Sequence, residues 1–224
     1  MTTRTQFQDE LADLEQMALG GLDMVGTALE RAIETVVNQD VELAGMVITD
    51  DDRIDGRYLE VHQELVTLLA TQNPVATDLR LISALLHVMK SIERMGDQCV
   101  NIAKVLPLVG HEPPSDDAML EKIFRMGKLA RSEVAQAKQA FLLRDTSLAE
   151  DLVKQDEQIN ALNREVFRRA VEIGTDEDRR EWAMTMMLVA RALERIGDNA
   201  VDVGEQVAFV VTGLFREFSD ASHV

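Results

Sequence analysis

Apolar residues recur at spacings of three and four along most of the chain, the period of an amphipathic helix. The pattern predicts six helices. The first runs from about Gln6 to Val37, where "NQD" interrupts it. Asp40 is a good N-cap for a second helix reaching about Ala70. In "TQNP", Asn73 is placed to cap while Pro74 occupies the first helical turn, where its missing N–H does no harm. A third helix follows, from about Val75 to Leu106. "PLVGHEPPSDD" is the clearest linker, with Pro107, Gly110, Pro113 and Pro114 before a Ser-Asp-Asp helix start. A fourth helix is predicted from about Asp117 to Leu143, and a fifth from Asp145 to near Gly174. Thr175 with Asp178 three residues on reads as an acidic capping box. It opens a sixth helix to about Phe218, after which "SDASHV" reads as a frayed tail.

The two halves resemble each other. "NQDVELAGMVITDDDRIDGRYLEV" lines up with "LRDTSLAEDLVKQDEQINALNREV", pairing Asp40 with Asp145, Asp51 with Asp156 and Ile54 with Ile159. Near the end of each half stands almost the same pentapeptide, "ERMGD" at Glu93–Asp97 and "ERIGD" at Glu194–Asp198. An internal duplication of a three-helix unit follows, with a period too long for a short-repeat solenoid. Residues 1–106 form the first unit, 107–116 the linker and 117–224 the second. Short turns make consecutive helices antiparallel, so the expected architecture is all-α, two tandem three-helix bundles related by a pseudo-twofold.

Composition agrees with a helical reading and narrows the partners. Of 224 residues 46% are hydrophobic and only 4% aromatic, with 11 Met against one Trp and one Tyr, which does not suit a β-sandwich. The formal net charge of −17 would be repelled by a phosphate backbone or an acidic lipid surface. Nucleic-acid binding and direct membrane insertion are therefore not expected, whereas cations or a basic partner would be attracted. Cys99 is the single cysteine, so no intramolecular disulfide forms. The segment "MTTRTQFQDELADLEQM" lacks the apolar core expected of a signal peptide, and no window approaches the ~20 apolar residues of a membrane span. A soluble, cytoplasmic protein is expected.

The repeated pentapeptide carries the candidate chemistry. Glu93, Asp97 and Asn101 fall at i, i+4 and i+8, as do Glu194, Asp198 and Asp202, forming an oxygen-bearing stripe along one helix face. Ile82, Leu85, Met89, Ile92, Gly96, Cys99 and Ala103 form the adjoining apolar stripe. Met186, Val189, Leu193, Gly197 and Ala200 do so in the second half, which puts the acids at the edge of the core. Like charges at i,i+4 and a mid-helix glycine both weaken a helix, the glycine by about 1 kcal/mol. A bare glycine beside a carboxylate pair also lets a neighbouring helix or ligand come close. Folding the second helix back on the third brings "DDDRID" and its Asp51 level with Glu93. The same operation in the second half brings Asp156 and Glu157 level with Glu194. Oxygen ligands without His or thiolate suit hard cations such as magnesium, manganese or ferric iron.

Other readings of these residues stay open. The acids could pair with arginines such as Arg94 and Arg195, leaving a purely structural scaffold, or they could build a carboxylate-bridged metal enzyme or metal store. No P-loop or nucleophile elbow is present, and the Glu-x-x-His pair of ferritin-like di-iron sites is missing. No catalytic residue is assigned. Cys99 and the Met-rich "AMTMMLVA" read as core, and His62, His87 and His111 have no ligand-like spacing.

At these residues the chain resembles the PhoU family, accessory proteins of phosphate-specific transport in bacteria and archaea. The resemblance rests on "ERMGDQCVN" and "ERIGDNAVD", on "NPVATDLRLI" leading into the third helix, and on "NQDVELA" between the first two. It implies two three-helix bundles and, as in some family members, multinuclear iron or zinc clusters. Position by position, the metal residues would be Glu93, Asp97, Asn101, Glu194, Asp198 and Asp202. "GTDEDRREWAM" does not repeat the "NPVATDLRLI" lead-in, so Asp78 and Arg80 lack counterparts. The resemblance further implies a non-enzymatic negative regulator of phosphate uptake and signalling. Its partners would be the ATP-binding subunit of a phosphate ABC transporter and a phosphate sensor histidine kinase, and a homodimer is expected.

Overall fold

A computed structural model describes residues 3–108 and 115–218, which form helices and no strand. The helices are α1 (Thr3–Asn38), α2 (Val41–Asp50), α3 (Asp52–Thr71), α4 (Ala76–Val105), α5 (Asp117–Leu143), α6 (Thr146–Ile173) and α7 (Glu177–Thr212), with a short 3₁₀ turn at Leu106–Leu108. The linker's residues 109–114, with His111, and the tail after 218 lie outside the described residues.

The same turn is built twice. Gln39 (φ 56°) and Arg144 (φ 54°) take the left-handed conformation after α1 and α5. Asp40 N then donates to Thr35 O and Asp145 N to Ala140 O, closing matching C-terminal caps. The next helix starts at once, because Asp40 accepts from Leu43 N and Asp145 from Ser147 N and Leu148 N.

Four details differ from expectation. The second predicted helix is interrupted at Asp51, whose carbonyl accepts both Ile54 N and Asp55 N and tightens that turn. Its backbone stays right-handed, so α2 and α3 remain one bent rod and the six-rod plan holds. α4 begins at Ala76, within a residue of its expected start, but Val75 and not Asn73 holds the cap position, and Pro74 lies before the helix. Asp78 decides this: its carboxylate accepts from Val75 N, and it ties the helix start to α1 through Arg4 (2.5 Å) and Gln8 (3.2 Å). Thr175 turns its hydroxyl back to Glu172 O instead of capping α7, and the side chain of Asp178 lies outside the description. α7 ends at Thr212 rather than Phe218 because Gly213 adopts φ 75°. The chain then folds back, stacking Phe215 on Phe209 and seating Phe218 N on Glu205.

One continuous apolar core runs through both halves. Gly127 of α5 lets Ile33 of α1 come so close that a Cβ there would meet it at 2.5 Å. The surface ion pairs Lys138–Asp23, Arg131–Glu30 and Arg144–Glu15 flank that contact. Helices α4 and α7, which carry the repeated pentapeptides, pack on each other at the centre of the molecule.

Candidate functional site

The apolar stripe of α4 is buried as its spacing predicts, with Cys99 among it, and burial pushes the Cys99 thiol far above its ordinary range. Met186, Val189, Leu193 and Ala200 do the same in α7. In the Met-rich segment, Met186 packs inward while Met184 and Leu188 are exposed. His62 stacks at a tilt on Tyr58, and His87 lies against Ser83 O and the edge of Phe215.

Glu93 and Glu194 flank these stripes half-buried, and Asp97 and Asp198 are exposed. Their salt bridges do not come from the motif arginines. Lys90 Nζ lies 2.7 Å from Glu93, and Arg191 donates to Glu194, each cation one turn earlier on the same helix.

The glycines inside the motifs explain the next layer. A Cβ at Gly96 would stand 2.8 Å from Asp51 Oδ1 and 3.2 Å from Ile54. At Gly197 it would stand 2.5 Å from Asp156 Oδ1 and 3.3 Å from Ile159. The same Asp, Ile and Gly therefore meet in both halves. Alanine at either glycine would intrude on a carboxylate.

In the first half this close approach gathers Asp51, Asp55, Glu93 and Asp97. Burial, then Asp55, Asp97 and Asp52, raises the Asp51 carboxyl to about 6, with Lys104 opposing. Partial burial, then Glu93 and Asp55, raises Asp97 as well. Asp55 was not singled out in the sequence, although it lies one turn beyond Asp51 on the same face.

The second half contains a group that periodicity alone passed over. Glu133 of α5 is fully buried, and neither carboxylate oxygen has a hydrogen-bond partner. Its Oε2 lies 2.9 Å from the Cβ position of Gly197, next to Asp156. Burial, then Asp156 and Asp198, pushes its carboxyl up to about 9. Asp156 is itself buried, with Oδ2 held by Asn160 Nδ2 at 2.7 Å and Oδ1 turned toward Gly197. The signal for Glu133 was present: Met119, Ile123, Met126, Ala130, Ala137 and Ala140 keep an alternating spacing of four and three. Glu133 occupies a position in that seam.

Asn101 and Asp202 stand apart from these acids. Asp202, raised by desolvation, senses Arg94 of the other half as its opposing charge. Asn101 shares a groove between α4 and α7 with Arg195, Arg191 and Lys104. The third position of each motif thus lies on the side of the opposite motif, Asp202 within the field of Arg94 and Asn101 in one groove with Arg195.

Among the described residues no three His, Cys, Asp or Glu side chains already stand at ligating distance around one point. The acids of each half are oxygen ligands of the kind a hard cation takes, and in the second half Glu133 and Asp156 approach the same glycine.

A duplicated three-helix unit, joined through its glycine-marked motif helices, defines the class of protein. Residues 21–106 and 123–207 each match the PhoU domain, and the chain belongs to that family. It is 29% identical over 220 residues to a phosphate-specific transport system accessory protein PhoU homolog of Clostridium acetobutylicum, covering 97% of this chain and 100% of that one. A Caulobacter vibrioides relative of the same description is 32% identical over 95% of this chain and 94% of its own. The crystal structure of the phosphate transport system regulatory protein PhoU from Streptococcus pneumoniae superposes with a TM-score of 0.87 at 26% identity, covering 94% of this chain and 99% of that one. PhoU from Pseudomonas aeruginosa superposes at 0.85, also at 26% identity, over 93% and 100%.

Proposed function

We propose that this protein is a non-enzymatic accessory regulator of phosphate uptake that damps the phosphate-starvation response by docking on other proteins. The carrying observation is that PhoU-domain likeness extends over both halves and nearly the full length of relatives named as phosphate-transport accessory proteins. The partners that fit are the ATP-binding subunit of a phosphate ABC transporter and a sensor histidine kinase, both reached from the cytoplasm. No described helix is long and apolar enough to cross a membrane. A net charge of −17 favours basic docking surfaces and sets association rate and selectivity more than affinity. A homodimer would present the motif helices twice.

Metal ions would be held in the first half by Asp51, Asp55, Glu93 and Asp97, and in the second by Asp156, Glu194 and Asp198. Asn101 and Asp202 would contribute only after a shift toward those acids. Iron, zinc, manganese or magnesium would supply positive charge that lets the acids crowd together, fixing the surface around α4 and α7. A regulator needs no more from the metal than that.

The test is a strain deleted for this protein, carrying a phosphate-starvation reporter and grown in ample phosphate. The reporter is expected to be on, and to switch off when the wild-type chain is restored. Purified ATP-binding subunit should retain the wild-type chain in a pull-down. A silent reporter in the deletion strain would overturn the regulatory reading.

A further inference from the structure

We propose that the groove between α4 and α7 at Lys104, Arg191 and Arg195 docks an acidic segment of a partner protein that carries an aromatic anchor. The inference rests on the docking reading and assigns it one face, opposite in charge to the molecule as a whole.

The pseudo-twofold supplies the comparison. Helices α4 and α7 align with an offset of 101, which sets Glu93 on Glu194 and Asp97 on Asp198. Two equivalent positions therefore lie along their contact, and the chain's own end occupies one of them. There Phe215 meets the ring of His87 edge-on, 6.4 Å between centres, and Phe218 N donates to Glu205 at 2.7 Å. The counterparts of His87 and Glu205 are Leu188 and Lys104, and both line an open groove of about 420 Å³ at the second position. The fold thus leaves room on one side for the kind of segment it already holds on the other.

Charge is what differs between the two. Around the covered position stand the acids Asp202 and Glu205 with the cations Lys90 and Arg94. At the open one Asn101 and Lys104 replace both acids, while Arg191 and Arg195 keep both cations. No carboxylate remains among the described residues lining it, in a chain of net charge −17. Where Glu205 accepts an N–H, Lys104 donates instead, and its best partner is a carboxylate. The floor is apolar: Val105 and Ala192 are buried beneath it, and Leu188, 61% exposed, forms the rim. An aromatic side chain laid there would cover that leucine as Phe215 covers His87. Cations around an apolar floor select an acidic, aromatic segment and turn a basic one away. Arg191 also pairs with Glu194, and Lys104 lies in the field of Asp51 and Asp97, so Arg195 is the cation to reverse.

The test is fluorescence anisotropy of the labelled peptide Gly-Leu-Phe-Glu-Glu-Phe-Ser-Asp, residues 213–220 of this chain with Arg216→Glu, added to full-length protein. Binding is expected, and it should weaken as salt rises. Arg195→Glu and Leu188→Asp should each weaken it tenfold or more. Lys154→Glu, the same charge change at an exposed site on α6, should leave it unchanged. Leu188→Asp alters an exposed side chain and carries the test if Arg195→Glu does not fold. No binding to wild type, or equal binding to the groove variants, would overturn the inference. Equal binding of a peptide with both phenylalanines changed to alanine, displaced by inorganic phosphate, would make the groove a small-anion site and overturn it too. Loss of self-association in Leu188→Asp, read by sedimentation, would give the groove to a second copy instead. In the deletion strain, full repression by both groove variants would overturn the inference while leaving the regulatory reading standing. Failure of wild type to repress, with the peptide still bound, would do the reverse.

Discussion

Asp202, the last oxygen-bearing position of the second copy of the repeated pentapeptide, feels Arg94 of the first copy as its opposing charge, through space and without a direct ion pair. The relation is reciprocal, since Asn101 of the first copy shares its groove with Arg195 of the second. Each motif therefore has two functions along its length. Its first turn faces the acids of its own half, and its last turn faces the other half.

This relation predicts a weak but measurable coupling. Both side chains are solvent-facing, so screening limits the pair to below about 1 kcal/mol. A double-mutant cycle of Arg94→Ala and Asp202→Ala, read by urea unfolding, should give a small favourable coupling that shrinks as salt is raised. A large, salt-independent coupling would mean that the pair is buried and structural.

The two motif glycines should respond differently to alanine. Helix propensity favours alanine by about 1 kcal/mol at both. At Gly96 the opposing oxygen belongs to Asp51, half-buried and able to swing aside, so Gly96→Ala should be close to neutral. At Gly197 two buried carboxylates stand in the way, and overpacking of that kind costs roughly 1–3 kcal/mol. Thermal unfolding of the two variants side by side checks the asymmetry.

Asp116 predicts the acid limb of stability. It caps α5 through Met119 N, and Arg169 of α6 grips both its oxygens at 3.2 and 2.6 Å. Arg169 first, then the Met119 amide, lowers its carboxyl below the ordinary 3.8 despite burial. A carboxyl lowered on folding stabilises the native state above its unfolded value, and the contribution fades as pH falls through the lower folded value. Asparagine caps a helix as well as aspartate, so the stability difference between wild type and Asp116→Asn reports the ion pair with Arg169 and should be constant near neutrality, on the order of 1 kcal/mol. It should decline only below about pH 4. Denaturant unfolding across pH 2.5–7 would show it.

Cys99 should be inert to thiol reagents in the native protein. It is 1% exposed on the α4 stripe, and burial disfavours the thiolate that reacts. Modification with a chromogenic disulfide should proceed only as fast as the chain opens, and should be prompt in denaturant. Fast native labelling would place α4 nearer the surface.

Because one core serves both halves, unfolding should be a single transition. Ile92 is fully buried and packs on Gly21 of α1, with a Cβ there meeting it at 3.1 Å. Ile92→Ala should cost roughly 2–5 kcal/mol and lower the melting of α5–α7 together with α1–α4. Calorimetry resolving two transitions, only one of them shifted, would show that the halves fold separately.

The sequence by itself determined the six rods, the duplication, the cap residues Asp40 and Asp145, and the level at which the acids around Asp51 and Asp156 stand beside the repeated motifs. These depend on periodicity, on local side-chain-to-backbone bonds and on helix length, all of which are written along the chain. The tertiary structure alone decided two other matters. It brought Asn101 and Asp202 to the side of the opposite motif, because α4 and α7 pack against each other across the pseudo-twofold and no single helix records its partner's register. And it placed Glu133 at Gly197. A lone acid in an apolar seam shows in the sequence as a break in a pattern, but only packing reveals what it faces.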